Sequence, residues 1–199
     1  RSDPSIGVDF TLQDADAIDA TDRITVQSAG RYFPDQLSAK TSEVIRRVVL
    51  ESGLSAKEAS GVLEAEIRAV LGVSASDVVP TQFATNPGAY FDIVANNASV
   101  QATNVGRMIA MADAGVEKYR VNAILDRRTS AICRNLDGKE FSVSNGMTAV
   151  DRFLGVQSIE DLENVMGFSK DDSVPKWAGE GMGFPPYHHS CRSTVVPVF

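Results

Sequence analysis

The residues best equipped for chemistry are few, and they gather in two places. Cys133 opens the stretch "CRNLDGKEF", and His188, His189 and Cys191 lie in "PPYHHSCR". Together these are all the cysteines and histidines of a 199-residue chain. Three chemistries suit them. Zinc in a structural site takes four tetrahedral nitrogen or sulfur ligands. His188 and Cys191 have the close H-x-x-C spacing, Cys133 adds a third ligand, and Asp137 or His189 is a candidate fourth. No C-x-x-C pair accompanies them, so the expectation is no cofactor, with zinc as the one alternative. A second chemistry is nucleophilic: Cys133 as a thiolate and His188 as its base, oriented by Asp126 or Asp137. Against it, "RTSAICRNL" predicts a short helix with Cys133 near its end, the wrong end to depress a thiol pKa. The third is structural. Buried thiols or one Cys133–Cys191 disulfide would close a small module, with a histidine bonded to backbone. The residue types favour this third reading, and an enzyme is the less favoured one. Arg128 and Arg192 would pair with Asp126 and Asp137.

Composition narrows the classes. At 43% hydrophobic residues the chain can bury a real core. No run of about 18 apolar residues is present, so no membrane span is expected. The first residues, "RSDPSIGVDF", lack an apolar stretch of signal-peptide type. A net charge of −7 argues against nonspecific DNA binding as the main activity. The exception is local: residues 118–139 hold six cations against two acids. Lys118, Arg120 and Arg127 of that stretch are candidate contacts for an acidic partner or for DNA, as well as candidates for a plain solvated face. Two cysteines are too few for a disulfide framework, and a cytosolic setting would keep them reduced.

The elements that must position these residues follow from periodicity. The first 12 or so residues read as an extended arm, and 14–29 as a polar helix. Pro34 suits a helix start. Leu37, Val44, Ile45, Val48 and Val49 then form one helical face, closed by Gly53. Ser55 and Glu58 spell a capping box for the next helix. Its stripe is Ala59, Val62, Leu63, Ile67, Val70 and Leu71, and Gly72 stops it. So short a connection predicts an antiparallel hairpin. Residues 73–88 read as a loop. A long helix follows over about 88–114, striped with Phe91, Val94, Ala98, Val105, Met108, Ile109 and Ala112. Asn96, Asn97 and Asn104 crowd its middle, although Asn is a poor helix former. That implies a helix packed on other protein through side-chain hydrogen bonds.

Beyond Gly115 the period changes to two. Tyr119, Val121, Ala123 and Leu125 share the apolar face of a strand, and Lys118, Arg120, Asn122 and Ile124 the other. Asp137–Gly138 predicts a turn into a second short strand. "TAVDRFLG" and "SIEDLENVMG" predict two short helices, and residues 171–189 a Gly/Pro-rich loop. "STVVPVF" predicts a closing strand, which Pro197 confines to an edge or an end. The fold class is therefore α+β: a helical N-terminal half and a long helix packed on a small, loop-rich antiparallel β module. The boundary falls near residue 85, with a helical prefix and arm over 1–85 and the long helix plus β module over 86–199.

Two blocks of this sequence resemble a known family. "DRRTSAICRNLDGKEF" is similar to a D-x-R-T-(S/C)-x-x-C-x-x-L-D-G-x-x-F pattern, here on Asp126, Arg128, Thr129, Ser130, Cys133, Leu136, Asp137, Gly138 and Phe141. "PPYHHSCRSTVVPV" is similar to its sequel, here on Pro185, Pro186, His188, Cys191, Arg192, Ser193, Thr194 and Pro197. Both resemble the C-terminal part of phage Mu F-like minor head proteins, a phage head-morphogenesis family. Asn104, Gly106 and Arg107 stand where that family's long helix commonly has N-x-G-R. Many members carry Cys at the positions of Ser130 and Ser193, which weakens the case for a metal here.

The resemblance implies a structural protein of the virion or of the bacterial host cytoplasm during assembly. It would bind the portal and other capsid proteins, assist head assembly or DNA packaging and delivery, and touch no membrane. It implies that the motif residues frame the small β module, with Cys133, His188 and Cys191 converging and Asp137–Gly138 turning the chain. Asn104 and Arg107 are candidate interaction residues. Two other classes stay open: a toxin or hydrolase using Cys133 and His188, and a zinc-stabilised interaction module of a secreted system.

Overall fold

A computed structural model describes residues 43–71, 79, 84–154, 184–188 and 190–199. The expected arm, the polar helix over 14–29, the Pro34 turn, the "SIEDLENVMG" helix and most of the Gly/Pro-rich loop lie outside these residues, as do Leu37, Gly72 and His189. The described elements, in chain order, are a π-type helical segment α1 (Arg46–Glu51), helices α2 (Ala56–Leu71) and α3 (Pro87–Asp113), strand β1 (Lys118–Asn122), helix α4 (Ala131–Leu136), strand β2 (Glu140–Ser142), helix α5 (Val143–Leu154) and strand β3 (Thr194–Val198). This is an α+β fold, and the strands among the described residues form a three-stranded antiparallel sheet ordered β2-β1-β3.

The helical half is built by local rules. Gly53 closes the first helical stretch at φ +69°, a conformation costly for any residue with a Cβ. The Glu58 carboxylate accepts from the Ser55 backbone N–H at 3.0 Å, and the Glu58 N–H donates back to the Ser55 hydroxyl at 3.4 Å. That reciprocal pair is the expected capping box, and it starts α2. Arg47, early in α1, pairs with Glu66, late in α2, at 2.9 Å, so the two segments run antiparallel. Val44, Ile45, Val48, Ala59, Leu63 and Ile67 are buried between them and α3. The stripe read from the sequence was wider than the buried face. Val62 and Val70 are about 40% exposed, because they sit at the margin of the apolar arc.

Helix α3 is the spine of the molecule. Its 27 residues span about 40 Å. Pro87 occupies its first turn, where the missing N–H costs nothing. At its far end Gly115 adopts φ +68°, and the Val116 N–H reaches back to the Met111 carbonyl at 2.9 Å. That is a Schellman-type stop. The helix serves two cores in succession. Tyr90, Phe91, Ala95, Ala98 and Ala102 face the helical hairpin, and the alanines let the helices approach closely. Val105, Met108 and Met111 face the β module.

In that module Tyr119 and Val121 point inward and their neighbours outward, as the alternation requires. Ile124 and Leu125 follow the strand in the chain but are more than half exposed. Pro197 pairs in register with Tyr119 on β3, an edge strand among the described residues. The helix expected over "TAVDRFLG" is present as α5, but it begins further N-terminally, directly after β2. Gly146 lies where it meets α3 and β1. A Cβ there would collide with the Met108 side chain and stand 3.2 Å from the Tyr119 ring.

Candidate functional site: a cysteine–histidine clasp

Two short segments make the site. The first is α4 with the loop before it. Asp126 and Thr129 fold that loop upon itself. The Asp126 N–H donates to the Thr129 hydroxyl at 2.7 Å, which in turn donates to the Ile124 carbonyl. The Arg128 N–H donates to the Asp126 carboxylate at 2.8 Å. Ser130 then caps α4, its hydroxyl accepting from the Cys133 N–H at 3.3 Å. This reverses one expectation. Cys133 lies in the first turn of its helix, not near its end, because the cap is Ser130 itself. Here the helix dipole favours a thiolate rather than opposing one.

At the other end of α4, the Asp137–Gly138 turn forms as expected. Gly138 has φ +74° and its N–H bonds the Val121 carbonyl at 2.9 Å. The Asp137 carboxylate accepts from the Ala123 N–H at 2.8 Å. It thus sews α4 to the end of β1.

The second segment is the strap of residues 184–193, which enters with a cis Pro185–Pro186 peptide. Ser190 sits at φ +58° and the Cys191 N–H bonds the His188 carbonyl at 3.2 Å, so H-x-x-C is a tight turn. Helix α3 holds this strap by its backbone. Asn97 accepts from the Ser190 N–H at 3.1 Å, and Asn96 donates to the Cys191 carbonyl at 3.3 Å. Asn104, fully buried, donates to the carbonyls of Pro185 and Ser193 at 3.0 and 3.3 Å and accepts from the Val195 N–H at 3.0 Å. Arg107 donates to the Val195 carbonyl at 3.4 Å. The asparagines that a helix tolerates badly are thus the main-chain partners of a segment 80 to 95 residues away. Asn104 and Arg107 also engage the N–H and the carbonyl of Val195 on the edge strand β3. So the structure places Asn104 inside the fold and half-buries Arg107.

The strap brings Cys191 and His188 onto Cys133. The two sulfurs are 3.7 Å apart, and His188 Nε2 is 3.2 Å from Cys133 Sγ and 2.8 Å from the Ser130 hydroxyl. The three ligand atoms lie within 4.8 Å of one another, and Asp137 is not among them. Both thiols are buried and free of any disulfide. They are electrostatically unequal. Cys191 hydrogen-bonds to Cys133, and His188 and Ser130 add to that, so the Cys133 thiol is pushed down despite its burial. The same contact and the same burial push Cys191 up. Arg192 closes the outside of the clasp on Asp126 at 2.7 Å, a bond that holds the Asp126 carboxyl well below its usual range.

The geometry around Cys133 leaves little space for a substrate. Cys133 is 3% exposed, and the pocket beside it, lined by Arg128, Ser130, His188 and Arg192 among others, has room for about one water molecule. Substrate pockets are far larger. Asp126 and Asp137, the two carboxylates that could orient His188, are engaged with Arg192 and with backbone. Lys118, Arg120 and Arg127 stand apart from the clasp, exposed to solvent. Arg120 faces Glu140 across the sheet. The polar hold of α3 on the strap was legible as an Asn-rich helix face, but its targets were not, since backbone groups carry no sequence signature.

No helix among the described residues is long and apolar enough to cross a membrane. No curated protein and no solved structure gives a significant match to the chain. The family model of phage Mu protein F-like proteins matches residues 11–196, nearly the whole length. The chain belongs to the phage Mu protein F-like family, the head-morphogenesis class of phage proteins.

Proposed function

We propose that the chain is a minor head protein that binds the portal and neighbouring capsid proteins, and in that position assists head assembly and the packaging or delivery of DNA. The single observation that carries this reading is the family match over residues 11–196, which spans both the helical half and the β module. The architecture supports a binding role. The groups best suited to chemistry are buried in a clasp, and an apolar pair, Ile124 and Leu125, is left more than half exposed next to Arg127 and Arg128. Exposed apolar side chains beside cations suit a protein partner.

The observations favour protein over DNA as the direct partner. Net charge is −7, Arg120 lies opposite Glu140, and Arg134 is bonded to the Asp126 and Thr129 carbonyls. The acidic balance of the whole chain opposes nonspecific contact with phosphates.

The test is co-expression with the portal protein of the same phage or prophage, followed by purification of the portal ring and of assembled heads. The chain is expected in both, at few copies per head. Heads that form normally with the chain absent from them, together with a portal that fails to retain it, would sink the proposal.

A further inference from the structure

We infer that Cys133, His188 and Cys191 form a binding site for one thiophilic, tetrahedral divalent cation of the zinc type, and that the ion locks the C-terminal strap to α4. The inference goes beyond the assembly role and stands whatever partner the chain has.

Three observations carry it. First, three soft ligand atoms converge from two segments 55 to 58 residues apart, all within 4.8 Å. Their separations suit a shared ion. Tetrahedral zinc with bonds of about 2.3 Å to sulfur and about 2.05 Å to nitrogen puts two sulfurs about 3.8 Å apart, and sulfur and nitrogen about 3.6 Å apart. The clasp has 3.7 Å between sulfurs and 3.2 Å between Cys133 Sγ and His188 Nε2. Small side-chain adjustments bring these atoms onto one ion, whereas a disulfide needs the sulfurs to close to about 2.05 Å.

Second, the backbone that carries the ligands is held by side chains of other residues. Cys133 sits in a turn capped by Ser130, and the His188–Cys191 turn is pinned by Asn96 and Asn97 of α3. A preformed cage of this kind lowers the ordering cost of binding. Third, a small polar pocket opens beside the three ligands. Ser130 and Ser193 flank it, and the pocket there has room for about one water molecule. Two thiolates and an imidazole select a soft or borderline ion over magnesium or calcium, which require oxygen ligands.

The experiment uses the full chain, reduced, stripped with a chelator and titrated with Zn2+ against a chromophoric competitor. One equivalent is expected to bind, and Co2+ in its place is expected to give the intense visible bands of a tetrahedral site with thiolate-to-cobalt charge transfer in the near ultraviolet. Cys191→Ala is expected to lose the charge-transfer band in large part. Because that variant can also disturb folding, the thermal midpoint of the unaltered chain is read as well. It should rise with added Zn2+ and fall back when chelator is added. Failure of the reduced chain to compete for Zn2+, a six-coordinate Co2+ spectrum, or a midpoint indifferent to Zn2+ would each overturn the inference. So would recovery of the chain from reducing cytosol with Cys133 and Cys191 cross-linked.

Discussion

The two cores of this molecule share one helix and are closed by different physics. Around the N-terminal part of α3 the contacts are almost wholly apolar: Val44, Ile45, Leu63, Ile67 and Phe91 pack across alanines. Around its C-terminal part an apolar cluster is again present, but a strap whose described residues lie outside helix and strand until β3 packs over it. That strap is held by Asn96, Asn97, Asn104 and Arg107 through its own carbonyls and amides. Helices satisfy their backbone internally, so a helical hairpin needs only a buried face. A strap cannot do so, and its buried polar groups must find side-chain partners elsewhere. The difference teaches where each half is vulnerable: the first to lost volume, the second to lost hydrogen bonds.

The comparison can be broken in order of expected effect. Phe91→Ala should be the most damaging, at about 4 kcal/mol, because it empties a fully buried ring site. Equilibrium urea unfolding reads it as a lower midpoint at unchanged slope. Asn104→Leu should cost about 3 kcal/mol, although the new side chain is close in size and more apolar, because two carbonyls and one N–H lose their partner. Its control is Leu63→Met in the other core, a volume-conserving change expected to cost less than about 1.5 kcal/mol. If Asn104→Leu proved as mild as Leu63→Met, the distinction between the two cores would collapse.

Gly146→Ala should destabilise by about 2 kcal/mol through overpacking against Met108 and Tyr119. Paired with Met108→Ala, which opens the same space, the alanine at 146 should cost markedly less in a double-mutant cycle. Ser55→Ala removes the exposed cap of α2, and calorimetry should register a loss of about 1 kcal/mol. The smallest effect belongs to Asp126. Its carboxyl is depressed by the Arg192 bond, so its contribution is present above the ordinary Asp pKa of about 3.9 and disappears as pH falls through its lower folded value. Asp126→Asn should therefore lower stability slightly at neutral pH, and its difference from the unaltered chain should vanish as pH falls through the folded value, which flattens the acid limb.

Legibility followed the same divide. Capping at Ser55 and Glu58, the stop at Gly53, the apolar stripe of α2 and the alternation of Tyr119 and Val121 are local patterns, and each has a physical cause within a few residues. The convergence of Cys133, His188 and Cys191 was implied by family resemblance rather than by spacing. Cys133 was placed at the wrong end of its helix because the helix was read over "RTSAICRNL", whereas Arg128 and Thr129 belong to the loop and Ser130 is the cap. Thr129 is instead taken up by the Ile124 carbonyl and the Asp126 amide. Val62 and Val70 were assigned to the core because valine carries no mark of which edge of a stripe stays wet.

By itself, the sequence determined the class of fold, the order of helices and strands, the turn at Asp137–Gly138 and the family. Those depend on periodicity, backbone preference and motif, all of which act over short stretches of chain. Only the tertiary structure decided what the asparagines of α3 hold, which carboxylates are engaged, and that two thiols and an imidazole meet within 4.8 Å. These depend on backbone groups, distances and burial between segments 55 to 95 residues apart, and nothing in the identity of a residue states how far its partner lies.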